Sequence, residues 1–242
     1  DHARTLEARG ALGMALTEAG KLEGAEQTLR TNLESRRRAR PDDSYGIALD
    51  LNNIALILMT QRRPQDAEPL FRESLRLMLS GGEQGRRDVH ILQRNLGRAL
   101  RATGRPAEAE PLFREALGRI RDQQGEKSWR YGNGLTGLAL VLLDLERFEE
   151  ALESATESEA VLEETLPDGH GRTANARGAR GVALTALGRY AEAEEALLES
   201  HAAFEALADE ESRRLEQAKA RLVALYDAWG RPRDADPYRD GG

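Results

Sequence analysis

Leu96-Gly97-Arg98-Ala99-Leu100-Arg101-Ala102-Thr103-Gly104-Arg105-Pro106-Ala107-Glu108-Ala109-Glu110-Pro111-Leu112-Phe113 is the stretch whose reading decides the fold. Leu96, Ala99 and Leu100 fall at i, i+3 and i+4, which is one face of a helix. Gly104 stands where such a helix ends in a left-handed backbone. Pro106 follows two residues later, at a first helical position that tolerates a missing N–H. Ala109, Leu112, Phe113 and Leu117 then resume the helical spacing. The stretch reads as helix A, a tight turn and helix B.

Outward from it, every feature recurs. Ala109 belongs to a column of Ala25, Ala67, Ala151, Ala193 and Ala235, each 42 residues from the next. Four residues before each alanine stands a basic residue: Lys21, Arg63, Arg105, Arg147, Arg189 and Arg231. The turn position before that holds Gly20, Arg62, Gly104, Glu146, Gly188 and Gly230. Twelve residues before the alanine the residue is small (Gly13, Ala55, Gly97, Ala139, Gly181), with Val223 the exception. Helix A repeats its apolar face as Leu12, Ala15, Leu16; Ile54, Ile57, Leu58; and Leu138, Val141, Leu142. No segment alternates with period two. Pro69, Pro111 and Pro237 lie inside helix B and are expected to set its curve. The joins Arg40-Pro41-Asp42-Asp43, Ser80-Gly81-Gly82-Glu83, Gln124-Gly125-Glu126, Pro167-Asp168-Gly169-His170 and Ala208-Asp209 are short and rich in turn formers. A single helix pair cannot bury its apolar face, so stacked neighbours must supply the core. The expectation is an all-α solenoid forming one domain over 1–242. It has five full repeats and a truncated sixth, with limits near 6–47, 48–89, 90–131, 132–173, 174–215 and 216–242.

A 42-residue period also suits HEAT, armadillo and propeller arrays; the missing strands remove propellers. Leu96-Gly97-x-x-Leu100, Gly104, Ala109 and Phe113 together resemble the tetratricopeptide (TPR) signature. Leu51-Asn52-Asn53-Ile54-Ala55 and Asp66-Ala67-Glu68-Pro69-Leu70-Phe71-Arg72 resemble the 42-residue repeats of kinesin light chains. The connectors Asp1-His2-Ala3-Arg4-Thr5-Leu6 and Leu166-Pro167-Asp168-Gly169-His170 also resemble that family, without its proline after the histidine. The resemblance spans essentially the whole chain. It implies a right-handed superhelix whose A helices line a concave, partner-binding groove. Arg221 to Pro232 resembles the last repeat of TPR tails on bacterial serine/threonine kinases. By that resemblance the chain is the interaction arm of a bacterial signalling protein. The alternatives are a free-standing adaptor and the sensor arm of a nucleotide-switch transcriptional regulator.

Composition narrows the chemistry. The chain has 242 residues, a formal charge of −7 and 5% aromatic residues, which argues against nucleic-acid binding by a basic, stacking surface. It has no cysteine, which removes disulfides, thiol catalysis and Cys-based metal sites. No run approaches the about 20 apolar residues of a membrane span, so no membrane insertion is expected and a cytoplasmic location is. The chain starts at Asp1 and not at Met, so it is expected to be a piece of a longer protein. His2, His90, His170 and His201 fall in different repeats, and H-E-x-x-H, Walker and kinase motifs are missing. Gly169-His170-Gly171-Arg172-Thr173-Ala174 fits G-x-G-x-x-A but follows a helical run, so it reads as a turn. No catalytic residue, metal or cofactor is expected.

What remains is binding. By resemblance, the residue before the Leu/Ile anchor of helix A faces the groove, and it is asparagine in repeats two and three: Asn53 and Asn95. An amide both donates to and accepts from a peptide backbone. Arg94, Arg98 and Arg101 share one face of helix A in repeat three. Guanidinium groups bind carboxylate or phosphate bidentately, so an acidic or phosphorylated peptide is the expected partner. Asn133, Asn175 and Gln217 form a polar column at 42-residue spacing, and Leu49, Leu56, Met59 and Ile91 are apolar groove candidates. An uncapped start also raises end-to-end self-association as an expectation.

Overall fold

The computed structural model describes residues 3–239, apart from the side chains of Ala3, Gln84 and residues 208–212; the Asp1-His2 part of the first connector lies outside the described residues. Among the described residues there are helices and no strand. The helices are α1 (Ala3–Glu18), α2 (Leu22–Ala39), α3 (Ser44–Thr60), α4 (Pro64–Ser80), α5 (Gly82–Ala102), α6 (Pro106–Gln124), α7 (Trp129–Asp144), α8 (Phe148–Thr165), α9 (Gly171–Ala186), α10 (Tyr190–Ala206) and α11 (Ala208–Ala228), with a closing 3-10 helix (Pro232–Tyr238). They gather into two compact units, Asp1–Ala116 and Leu117–Gly242.

The turn column explains why each pair folds back. Gly20, Arg62, Gly104, Glu146, Gly188 and Gly230 all have φ between 58° and 75°. Each is the left-handed residue of a Schellman turn, with two backbone bonds reaching back into helix A. In repeat three these are Arg105 N–H to Leu100 C=O at 2.9 Å and Gly104 N–H to Arg101 C=O at 3.1 Å. Arg62 and Glu146 hold the same geometry with a Cβ present. Pro64 and Pro106 then open α4 and α6. Both helices run on through Pro69 and Pro111, which lie on the solvent side, where water can satisfy the carbonyl that loses its donor.

Packing inside a repeat sets a small residue of helix A directly against helix B. A Cβ placed on Gly97 would lie 2.7 Å from the Phe113 ring, and one on Gly181 would lie 2.5 Å from Leu197. Ala139 packs with the small Ala155, whereas in repeat two Ala55 keeps a large, buried Phe71 in the same column of helix B. Three repeats add the same latch: Ser74, Ser158 and Ser200 on helix B donate to the carbonyls of Ala48, Gly132 and Ala174 on helix A, at 2.6 to 2.7 Å.

Within the first unit α1 touches α3 and α3 touches α5; within the second α7 touches α9 and α9 touches α11. The B-type helices α2 and α4, like α8 and α10, make no such contact among the described residues. The A-type helices therefore form the inner face of each unit.

Two sequence expectations are corrected. Leu12 stands in a column that is buried at Ile54, Leu96, Leu138 and Leu222, yet it is 53% exposed, because no helix packs on that side of α1 among the described residues. The join expected at 80–83 is shorter, and the one expected at Ala208-Asp209 lies one residue earlier, those two residues already belonging to α11. Gly81 alone separates α4 from α5, aided by the left-handed Gly82, and Leu207 alone separates α10 from α11.

Candidate functional site

In the first unit, the inner face of α3 and α5 brings apolar, amide and guanidinium groups together. Leu49 and Ile91 occupy one column and are 36% and 40% exposed, so two large apolar side chains stand open side by side on adjacent A-type helices. One turn along, Asn95 donates Nδ2 to Asn52 Oδ1 at 2.8 Å, and Asn52 Nδ2 donates to Asn53 Oδ1 at 3.3 Å. Asn53 and Asn95, picked from the sequence, are thus joined into a chain of amides through Asn52, which is itself buried. The adjacent Asn52-Asn53 pair is the sequence signal for this hub. Both outer amides are half-buried, so each keeps part of its surface in contact with solvent.

Arg98, in the column of Leu56, is exposed, while Arg94 and Arg101 are half-buried. Arg94 shares its column with Asn52 and so sits deeper in the helix contact than Arg98. Met14, 39% exposed, also belongs to the Leu56 column and extends the apolar strip onto α1; only the register could have disclosed it. On the far side of the α3–α5 contact, Tyr45 Oη donates to Asp88 Oδ2 at 2.8 Å and fixes the two helices.

Beneath this face lies a buried polar cluster that tunes α2 against α3. Arg36 donates Nε to Asp50 Oδ2 at 2.8 Å and Nη1 to Asp43 Oδ2 at 2.7 Å, and Asn32 donates to Asp50 at 3.1 Å. Arg36 takes a column that elsewhere holds Met78, Ile120, Leu162 and Phe204. Burial pushes the Asp50 carboxyl above its ordinary value despite these bonds, with a further push from Asp43. Burial also raises Asp43, but the Gly46 backbone N–H and Arg36 outweigh it and hold that carboxyl low.

In the second unit the column of Leu49 and Ile91 turns polar: Asn133 and Asn175 are half-buried on α7 and α9, and Gln217 is exposed on α11. The column of Asn53 and Asn95 there holds Gly137 and Ala179. Each unit thus offers its own chemistry, and the residues picked from the sequence divide between them.

The basic turn column, noticed in the sequence without a role, ties the outer edge. Arg63, Arg105, Arg147, Arg189 and Arg231 each pair with the acid three residues on. Arg63, Arg105 and Arg231 also reach the previous helix B, at Glu26, Glu68 and Glu194. Hydrogen bonds from Arg105 hold the Glu108 carboxyl below its usual range. An open recess lined by Gly20, Lys21, Glu26, Gln61 and Arg63 lies at this edge, away from the inner face. Among the described residues no three His, Asp or Glu side chains converge on a possible metal position, and no helix is long and apolar enough to cross a membrane.

The tetratricopeptide repeat model matches residues 1–80, 88–164 and 130–206. The chain belongs to the tetratricopeptide repeat family. Its fold is similar to that of a kinesin-light-chain protein of Podosopora anserina with nearly identical TPR-like repeats. There the identity is 18%, the match covers 84% of this chain and 96% of that one, and the TM-score is 0.69. BtubC (BKLC) of P. vanneervenii is 19% identical over 99% of this TPR chain and 89% of its own, with a TM-score of 0.67. YrrB, described as a TPR protein with an unusual peptide-binding site, is 19% identical over 81% and 84%, with a TM-score of 0.51. No functionally curated protein matches the chain.

Proposed function

We propose that this TPR array is a non-catalytic scaffold that holds an extended, acidic peptide segment of a partner on the inner face of α3 and α5. The observation that carries the reading is the pairing of exposed Leu49 and Ile91 with the Asn95–Asn52–Asn53 amide chain beside Arg98. Apolar side chains of a ligand would sit on Leu49, Ile91 and Leu56. The Asn53 and Asn95 amides would bond its backbone, because each amide supplies both donor and acceptor. Arg94, Arg98 and Arg101 would meet its carboxylates or phosphates. Asn133 and Asn175 give the second unit a separate, polar contact strip. YrrB, which has a similar fold and is described as having a peptide-binding site, supports this reading. The likeness of Arg221 to Pro232 to kinase-borne repeats favours a place on a larger signalling protein, and H-R-D and D-F-G motifs in the coding sequence upstream of Asp1 would bear that out.

A random-peptide display selection on the whole chain tests the binding reading. Enriched peptides should combine acidic with apolar residues, and Arg98→Glu with Arg101→Glu should weaken them at least about tenfold, the effect of removing one interface anchor. Arg76→Glu, on the outer side of α4, should leave them unchanged. Enriched peptides that are basic, or that bind both variants alike, would sink the proposal.

A further inference from the structure

Helix α9 is built unlike the other A-type helices. Its buried positions hold Gly, Ala and Thr, with Leu184 its one large apolar residue, whereas α3 buries Ile47, Leu51, Ile54, Ile57 and Leu58. Less apolar surface leaves water when α9 docks, so its hydrophobic attachment is weaker. Gly178 and Gly181 in its interior also lower its own helical tendency.

The contact of α9 with the preceding α8 is changed in the same direction. Arg180 stands in the column of Leu12, Ile54, Leu96, Leu138 and Leu222, and Arg177 in a mixed column of Arg9, Leu51, Gln93, Leu135 and Lys219. Glu159, facing them from α8, stands in the column of Leu33, Leu75 and Leu117. Two mainly apolar contact positions, those of Arg180 and Glu159, have become ionic, and Arg177 joins them in one network. Arg177 Nε meets Glu159 at 2.8 Å and Glu199 at 3.3 Å, Arg180 Nε meets Glu159 at 2.6 Å, and Arg177 also pairs with Glu163. Glu159 is 9% exposed, so the centre of the network lies within the contact, while Glu163 and Glu199 reach out to the surface. Burying charges costs desolvation that their attraction scarcely repays, and apolar replacements of similar volume often hold better. In a repeat array each junction contributes its own coupling, so one weak junction divides the array there.

We propose that the α8–α9 junction is a salt-sensitive hinge, at which residues 171–239 open from α7 and α8 as one cooperative piece. Opening parts Asn133 on α7 from Asn175 on α9, so the polar strip of the second unit is complete only when the hinge is closed. The inference is independent of any ligand.

Native-state hydrogen exchange on the whole chain, in 0.1 M and 1 M NaCl, tests it. Raising the salt shortens the screening length from about 10 Å to about 3 Å. The slowest amides of α9, α10 and α11 should exchange at a common rate, at least about tenfold faster than those of α7 and α8, as one sub-global opening requires. That rate should rise with salt while α7 and α8 stay unchanged. Terminal fraying alone would give graded rates without this selective salt response. Replacing the trio together (Glu159→Leu, Arg177→Leu, Arg180→Leu) should slow exchange in α9–α11 and abolish the salt effect. Should that variant fail to fold, Glu159→Gln is the second test and should speed exchange in α9–α11 alone. Rates that match across α7–α11, or salt effects shared by all helices, would overturn the hinge.

Discussion

At the scale of single residues, the repeat works by excluding or requiring a Cβ. Gly97 lets the Phe113 ring lie against the backbone of α5, so Gly97→Val should destabilise the chain by about 1–3 kcal/mol, the usual effect of overpacking a core. Thermal denaturation followed by circular dichroism reads this directly. Glu146 makes the opposite case, since it holds φ 58° in a turn column otherwise mostly glycine. Glu146→Gly removes a left-handed strain of about 1–2 kcal/mol and adds unfolded-state freedom of about half that, so the melting point should rise by a few degrees. A drop would mean that Glu146 makes a contact worth more than its strain. By its column Leu12 belongs to the buried stripe. Its 53% exposure arises because burial in an array depends on the neighbouring repeat, which no single unit's sequence encodes. Leu12→Ala should therefore change stability by less than about 0.5 kcal/mol, whereas Ile54→Ala should cost about 2–5 kcal/mol.

At the scale of elements, caps and latches decide where helices stop and how firmly they pair. Asp43 caps α3 by accepting from the Gly46 N–H at 3.0 Å and binds Arg36 through its other oxygen. Its carboxyl is held below the ordinary 3.8, so its contribution is full above that value and is lost as pH falls through the lower, folded value. Asp43→Ala should cost about 1–2 kcal/mol at neutral pH, and denaturant titrations should show that deficit shrinking below about pH 4. A deficit that persists unchanged at pH 2.5 would assign the effect to something other than the charged cap. Arg36→Met probes the other half of the cluster, for it leaves Asp50 buried without its cation. The loss should reach about 3–5 kcal/mol near neutrality. The Asp50 pKa, already raised, then rises further, so the loss should ease as pH falls through that value and the group becomes neutral. The helices themselves were legible because period and turn chemistry agree in every unit. The one-residue joins at Gly81 and Leu207 were not, because turn formers mark where a chain can bend and not how many residues the bend uses.

At the scale of the whole molecule, the register is what the sequence carries most strongly. Unbroken 42-residue columns told of helix pairs, their small-residue contacts and the left-handed turns. The same columns, read across repeats, also show where the array departs from itself. Leucine and isoleucine give way to asparagine between Ile91 and Asn133, and leucine gives way to arginine at Arg177 and Arg180. The candidate site was only partly legible. Asn53, Asn95 and Arg98 lie on a helix face that the spacing could place, whereas the link through buried Asn52 needs the distance between α3 and α5. The basic turn column was plain in the sequence, but its partners lie on the previous helix B, which only the stacking brings near. The most direct test of the inner face as the binding surface is a hydrogen-exchange footprint of a display-selected peptide bound to the whole chain. Protection should appear along α3 and α5, with α4 and α6 unchanged; protection confined to α4, α6 or the closing 3-10 helix would place binding elsewhere and contradict the assignment.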